Sequence, residues 1–113
     1  MIVIIAGSRG IDDYETVKRA IGSSGFKITE VVSGGCKGVD KLGERWAHEN
    51  NIPIKVFKAD WSIGKCAGPI RNHAMAIYGE ALIAIWANNS RGTANMIDQA
   101  EQNGLLVYVY DAV

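Results

Sequence analysis

Residues 1–10 read Met1-Ile2-Val3-Ile4-Ile5-Ala6-Gly7-Ser8-Arg9-Gly10, an unbroken apolar run followed by a glycine-rich segment. The run is mostly β-branched, and a strand that is apolar at consecutive positions is typical of a parallel sheet covered on both faces. The glycines favour a tight turn that leads from this strand toward a helix. This stretch therefore predicts an α/β protein whose loops follow the carboxyl ends of parallel strands.

The same succession of strand, loop and helix recurs along the chain. Further strands are predicted over residues 28–32, 54–57, 81–87 and 105–110. Short parallel strands need right-handed helical crossovers, and segments with helical apolar spacing separate these strands. Five strands and four helices thus predict a Rossmann-like, doubly wound, mainly parallel five-stranded sheet with helices on both faces. We expect the strand order 3-2-1-4-5 and a single domain over residues 1–113.

Two local patterns refine the helices. Asp12 followed by Glu15 is a capping-box pattern, which predicts the start of the first helix. In the third helix, Pro69 suits the first turn. The residues predicted to form the buried stripe of that helix are Ile70, Ala74, Ile77 and Tyr78.

The charge balance limits the classes of partner. Twelve Lys and Arg residues match twelve Asp and Glu residues. The broad basic surface that binds nucleic acid through many phosphates is therefore not expected, and nucleic acid is not a predicted partner. No apolar stretch reaches membrane-spanning length, and the apolar start has neither a basic leader nor a cleavage pattern. We therefore predict a cytoplasmic protein with no membrane partner.

The residues that commonly bind metals are scattered. Cys36 and Cys66 lie far apart without a CxxC pattern, and His48 and His73 are isolated from one another. A zinc site needs several such ligands close together. The sequence predicts free thiols, no metal and no resident cofactor.

The loops after the strands carry the chemistry. In an open α/β sheet a ligand lies outside the carboxyl ends of the strands, where the strand order reverses. We expect that reversal between the first and fourth strands, so residues 7–10 and 88–93 would form the two walls of a crevice. Glycines let backbone N–H groups approach an anion, and a helix amino end adds partial positive charge. A small phosphate-bearing ligand fits these features.

The polar side chains of these loops support an anionic ligand. Five of the twelve cationic residues lie in or beside the loops, namely Arg9, Lys37, Lys65, Arg71 and Arg91. Hydroxyl groups that could donate to phosphate oxygens come from Ser8, Ser33, Ser90 and Thr93. The loops contain neither the GxxxxGK[ST] pattern nor the GxGxxG pattern, which disfavours a triphosphatase or an ordinary dehydrogenase.

The candidate ligand-binding residues follow from this reading. They are Gly7, Ser8, Arg9, Ser33, Gly34, Gly35, Lys37, Asp40, Trp61, Arg71, Asn72, Ser90, Arg91, Gly92 and Thr93. Structural alternatives stand beside the functional roles. The glycines could simply permit tight turns. Asp40 could stabilise the first turn of a helix instead of meeting a ligand, and Trp61 could seal a core edge instead of covering a base.

Several motifs together resemble a known family. They are Gly7-Ser8-Arg9, Ser33-Gly34-Gly35 with Gly38-Val39-Asp40, Ala59-Asp60-Trp61, Ala67-Gly68-Pro69 with Arg71-Asn72 and Met75, and Ser90-Arg91-Gly92-Thr93. In this order they resemble the YspA-type (cpYpsA-related) family of the SLOG superfamily, which is similar to the LOG phosphoribohydrolases and to DprA. The resemblance implies a Rossmann-like fold that binds nucleotides or nucleotide-derived signals, and a homodimer or larger assembly.

The resemblance also bears on catalysis. LOG enzymes pair RKxxM with PGGxGTxxE and use the arginine and the glutamate to release a base from a nucleoside monophosphate. This sequence keeps Arg71 and Met75 of the first motif, but of the second it keeps only Gly92-Thr93 and has Met96 at the glutamate position. Non-catalytic binding, for sensing or sequestering, is therefore favoured. The alternative is a nucleoside monophosphate phosphoribohydrolase or related N-glycosidase, for which Arg71 and Asp40 are the catalytic candidates.

Overall fold

The computed structural model describes residues 1–87 and 90–112, in which strands and helices alternate. The elements are β1 (Ile2–Gly7), α1 (Tyr14–Ser24), β2 (Glu30–Ser33), α2 (Val39–Glu49), β3 (Ile54–Val56), α3 (Ala67–Tyr78), β4 (Ala81–Trp86), α4 (Arg91–Gln102) and β5 (Leu106–Asp111), with a 3-10 helix over Trp61–Ile63. None of the helices in these residues is both long and apolar enough to cross a membrane.

The five strands form one sheet in the order β3-β2-β1-β4-β5, and every pairing is parallel. This confirms the predicted Rossmann-like, doubly wound fold and the predicted strand order. The chain places β2 and β3 on one side of β1, then crosses to the other side for β4 and β5. The strand order therefore reverses between β1 and β4, as expected.

The central strands have two buried faces. Val3 and Ile5 of β1 belong to a core cluster with residues of α1 and α2. Ile4 and Ala6, which alternate with them, belong to a second cluster with residues of α3 and α4. Successive strand residues point to opposite faces, so a strand between two helical layers must be apolar at both. This explains the unbroken apolar run at the start of the sequence.

The start of α1 differs from the prediction. The N-cap is Asp13, not Asp12, and the Asp13 carboxylate accepts hydrogen bonds from the backbone N–H of Glu15 at 3.1 Å and from the Thr16 hydroxyl at 2.9 Å. The two adjacent aspartates are chemically equivalent caps. The choice between them depends on where the backbone enters the helix, which the capping pattern does not determine.

The predicted buried stripe of α3 is wrong. Ile70 and Ile77 are 57% and 65% exposed, and Tyr78 is also exposed. The buried positions of α3 are instead Ala67, Gly68, Asn72, Met75 and Ala76. Small residues let this helix approach its neighbours closely, and Asn72 forms hydrogen bonds across to α4. The spacing of large apolar residues therefore does not predict this buried face, because small side chains and the buried amide of Asn72 form it.

Gly7 is the last residue of β1 and pairs with Ile85 of β4. A β-carbon at this position would collide with the Ile85 carbonyl oxygen and with the Val39 side chain. We expect Gly7→Ala to lower the free energy of unfolding by about 3 kcal/mol, because a backbone oxygen in a close-packed sheet cannot move aside. Urea denaturation monitored by circular dichroism would measure the change.

Gly10 provides the matched control, because a β-carbon there meets no atom within 4 Å. Gly10→Ala should change the free energy of unfolding by less than about 0.5 kcal/mol. Equal stability of the two variants would contradict the close contact at Gly7.

Candidate functional site

A cleft of about 210 Å³ opens at the carboxyl ends of β1 and β4. Its lining comes from loops and helix ends that are distant in sequence: Ala6, Gly7, Arg9, Cys36, Asp40, Arg71, Asn72, Met75, Ser90, Gly92, Thr93 and Met96. This is the position at which the reversal of strand order leaves room between two diverging loops. The structure thus brings eight of the candidate ligand-binding residues to one cleft.

Arg71 is held in the cleft by its neighbours. Its Nη1 donates to the Gly34 carbonyl oxygen at 2.7 Å, and its Nε donates to Asn72 Oδ1 at 2.9 Å. A β-carbon at Gly34 would lie 2.5 Å from that Nη1, so a larger residue there would require the guanidinium to shift. Guanidinium has five N–H donors, and the hydrogen bonds to oxygen within the described residues use Nε and Nη1. Both donors on Nη2 remain for a ligand.

Asp40 is the acidic residue of the cleft lining. It lies at the start of α2, is only 7% exposed, and its Oδ2 accepts the backbone N–H of Cys36 at 3.1 Å. Burial raises the pKa of Asp40 from 3.8 to about 6, although the Cys36 N–H and the charge of Arg71 act in the opposite direction. The carboxyl group therefore exchanges its proton close to neutral pH.

The amino end of α4 forms one wall of the cleft. Ser90 is the N-cap, and its Oγ accepts hydrogen bonds from the Thr93 backbone N–H at 3.4 Å and from the Thr93 hydroxyl at 3.1 Å. The first N–H groups of a helix lack partners within the helix and attract anions. Gly92 lies in this first turn, and a β-carbon there would meet no protein atom within 4 Å. The glycine leaves open space in front of the helix end.

Besides the Thr93 hydroxyl, which donates to Ser90 Oγ, two more of the predicted hydroxyl donors are already engaged with the protein. Ser8 Oγ donates to the Ala87 carbonyl oxygen at 2.8 Å and accepts the Ala87 N–H at 3.0 Å. Ser33 Oγ donates to Glu44 Oε2 at 2.6 Å and accepts the Gly35 N–H at 3.1 Å. A hydroxyl has one proton to donate. Ser8 and Ser33 therefore shape the loops, which corrects their predicted part as phosphate donors.

A second hollow of about 290 Å³ adjoins the cleft. The residues that line it are Arg9, Trp61, Lys65, Gly68, Pro69, Arg71, Asn72, Arg91, Gly92 and Asn95. The Trp61 ring is half exposed, and the Arg9 guanidinium lies 5.7 Å from its centroid. Trp61 therefore borders a hollow rather than sealing the core, and the hollow shares four lining residues with the cleft, namely Arg9, Arg71, Asn72 and Gly92.

Some predicted residues lie apart from both hollows. Lys37 is exposed, and it lines neither hollow. Gly35 lies beside Val56 and Lys58. Its φ of 74° is in the left-handed region, so the turn itself favours glycine at this position. Asn88 and Asn89 of the predicted crevice wall lie outside the described residues.

Several residues that line the cleft were not among the candidates predicted from the sequence. Cys36 lies inside a loop that the sequence predicted to face the ligand. Its position directly after Gly34 and Gly35 was the signal that could have added it to the candidates. The family resemblance had placed Met75 and Met96 at motif positions, but their part as apolar lining follows from the packing of α3 and α4 on the sheet. Across residues 1–87 and 90–112, no three His, Cys, Asp or Glu side chains come together as a metal site.

The topology and the cleft define a Rossmann-like α/β protein with a polar pocket at its strand-order reversal. Residues 1–64 match the YspA, cpYpsA-related SLOG family, and the chain belongs to that family. The Gene 61 protein of Mycobacterium phage D29 is 33% identical over 116 residues, which cover 93% of this chain and 92% of that protein.

A solved structure supports the fold. DNA processing protein A (DprA) from Streptococcus pneumoniae is similar, with a TM-score of 0.77 and 17% sequence identity over 99% of this chain. The match covers 50% of the DprA chain, so this chain spans about half its length. At this identity the similarity concerns the fold alone.

The raised pKa of Asp40 makes a testable contribution to stability. Between about pH 4 and pH 6 the folded protein binds a proton at Asp40 that the unfolded chain has released. This group therefore favours folding below pH 4 and opposes it above pH 6. We expect Asp40→Asn to raise the free energy of unfolding by about 1–2 kcal/mol at pH 8 and to change it little at pH 4.

Urea denaturation at the two pH values would measure this effect, with exposed Asp98→Asn as the control. A constant difference between Asp40→Asn and the unaltered protein across this pH range would rule out a raised pKa at Asp40.

Proposed function

We propose that the chain binds a small nucleotide-derived, phosphate-bearing ligand in the cleft and senses or sequesters it without cleaving it. One observation carries this proposal: the amino end of α4 and the guanidinium of Arg71 line the same cleft. A helix amino end and a guanidinium are both suited to phosphate oxygens. Their presence in one pocket supports an anionic ligand more directly than any single motif does.

The phosphate position follows from the donors. The backbone N–H groups of Arg91 and Gly92 occupy the first turn of α4, where the helix dipole favours negative charge. Nη2 of Arg71 supplies two further charged donors. Ser90 and Thr93 belong to the same turn, and their hydroxyls hold its shape through the bonds described above. We propose that a phosphate group contacts this turn and Arg71 together.

The sugar and base are proposed to extend away from the phosphate. Asp40 is a hydrogen-bond acceptor in the cleft, and ribose hydroxyls are donors of the matching kind. Trp61 offers an exposed ring face that suits stacking with a base. The cleft alone is smaller than most ligand pockets, which have volumes of roughly 300–1,000 Å³. With the adjoining hollow, the pair reaches that range.

A second candidate function is hydrolysis of a nucleoside monophosphate. Asp40 favours it, because a buried carboxyl with a pKa of about 6 can act as a general acid near neutral pH. The cleft lining opposes it. Met96, at the position where LOG enzymes have glutamate, is buried and carries no titratable group. Glycosidic hydrolysis ordinarily uses two carboxyl groups, and Asp40 is the one acidic residue in the described lining.

We also propose that the chain forms a homo-oligomer, as the family resemblance implies. The exposed side chains of Ile70 and Ile77 on α3 support this, since apolar groups on one helix face are suited to a second copy.

Gly92→Ala separates binding from folding. The added methyl group meets no protein atom, so the free energy of unfolding should stay the same or rise by up to about 1 kcal/mol. In the bound state the methyl group would stand where the phosphate approaches α4. Isothermal titration with ribonucleoside monophosphates should then show affinity weakened about tenfold or more.

Gly22→Ala is the matched control, because Gly22 is a helical glycine in α1 with equally open surroundings. It should leave affinity unchanged. Undiminished binding by Gly92→Ala would exclude the amino end of α4 as the phosphate site.

The two candidate functions differ in their products. Incubation of the protein with each ribonucleoside monophosphate, followed by chromatography, should release no free base above a protein-free sample, because the cleft lacks a second carboxyl group. Base release that disappears in Asp40→Asn would instead establish the phosphoribohydrolase.

A further inference from the structure

The hollow beside the cleft concentrates positive charge. Four of its lining residues are cationic, namely Arg9, Lys65, Arg71 and Arg91. Its described lining contains neither Asp nor Glu. The chain as a whole has equal numbers of acidic and basic residues, so four of its twelve cations around one small hollow is an uneven distribution. The hollow is therefore electropositive although the protein is neutral.

Among the described residues, no ion pair neutralises these cations. In residues 1–87 and 90–112, the ion pairs between side chains involve Lys18, Lys41 and Arg45, all on α1 or α2. Asp40 lies in the neighbouring cleft, where its charge interacts with Arg71 and Arg9. It does not line the hollow, where Lys65 and Arg91 lie. Like charges held together without a counter-charge repel one another, and an anionic ligand relieves that repulsion.

The hollow and the cleft adjoin one another at shared lining residues. Arg71 and Gly92 line both the cleft and the hollow, so a single bound ligand could contact the amino end of α4 and also occupy the hollow. The guanidinium of Arg71 is fixed by Gly34 and Asn72 at this junction. The Trp61 ring flanks the hollow with an exposed apolar face. An elongated ligand with charge at two points and one planar group would match this arrangement.

We propose that the hollow is a second phosphoryl subsite, and that the ligand is a nucleotide carrying at least two phosphoryl groups. The inference rests on the proposed function. One phosphoryl group contacts the amino end of α4 and Arg71, and the next lies between Lys65 and Arg91. Both side chains are long and exposed, so they can close on a phosphoryl group that arrives. The ligand class is thus a nucleoside diphosphate or a longer phosphate ester, not a monophosphate.

A nucleic-acid strand fits the hollow less well. Strand binding draws on a basic groove that follows several successive phosphates. The four cations surround one hollow of about 290 Å³, and the net charge of the chain is zero. A small ligand with two charged groups uses all of these residues, whereas a strand would need further cations beyond them.

The test compares mono- and diphosphates of adenosine, guanosine, cytidine and uridine by isothermal titration. For a base that binds, the diphosphate should bind at least about tenfold more tightly, because each charged hydrogen bond contributes on the order of tenfold or more. The double variant Lys65→Ala with Arg91→Ala should lose this preference. Its affinity for the monophosphate should fall by a much smaller factor than its affinity for the diphosphate, since the backbone of α4 and Arg71 are intact.

A matched double variant controls for net charge. Arg19→Ala with Lys27→Ala also removes one arginine and one lysine, both exposed and outside the two hollows. It should keep the preference for the diphosphate. Loss of the preference in this control would mean that net charge is its source, and would overturn the subsite.

The remaining outcomes separate the two proposals. Equal affinity for mono- and diphosphates would overturn the second subsite and leave the proposed function standing. Failure of every mono- and diphosphate to bind would overturn both. A single-stranded oligothymidylate that binds more tightly than any diphosphate, and that depends on Lys65 and Arg91, would show the hollow to be a nucleic-acid surface and overturn the inference.

Discussion

The close approach of β1 and β4 at their carboxyl ends is the constraint on which the site depends. The backbone N–H of Ser8 donates to the Ile85 carbonyl oxygen at 3.1 Å, and the Ser8 hydroxyl both donates to and accepts from the backbone of Ala87. Gly7 permits this approach because a β-carbon would collide with Ile85. Beyond these bonds the chain diverges toward helices on opposite faces of the sheet. The cleft is the space that this divergence leaves.

The electrostatics of the cleft follow from the same geometry. Burial of Asp40 disfavours its charged form and raises its pKa. Arg71 is fixed by the Gly34 carbonyl oxygen and by Asn72, so its free donors are oriented before any ligand arrives. Asp40 gains or loses its proton near neutral pH, and Arg71 beside it stays charged. The net charge of the cleft therefore depends on pH. Groups with shifted pKa values in a pocket are a common mark of functional sites.

The sequence predicted the sheet better than the helix faces. The apolar, β-branched strands and the helical segments between them were sufficient for the parallel sheet and for a cleft at its carboxyl edge, because these depend on strong local preferences and on the handedness of crossovers. The strand order did not follow from these residues, and 3-2-1-4-5 was expected only as the usual order of doubly wound sheets. The buried face of α3 was not predictable from apolar spacing, since Asn72 and small residues determine it. The engagement of the Ser8 and Ser33 hydroxyls was equally hidden, because their partners lie far away in the sequence or on a later helix.

The apolar residues at the base of the cleft limit the chemistry that the cleft can support. Met75 and Met96 line the cleft, and both belong to the core cluster that packs α3 and α4 on the sheet. A carboxylate in place of the Met96 thioether would be charged in an apolar core and would need a buried partner. For the proposed phosphate ligand, an apolar floor would lower the local dielectric and strengthen the interaction between the anion and the donors above it. The same packing that positions α4 would then suit the binding of a phosphate ester better than its hydrolysis, because the described lining does not supply a second catalytic acid.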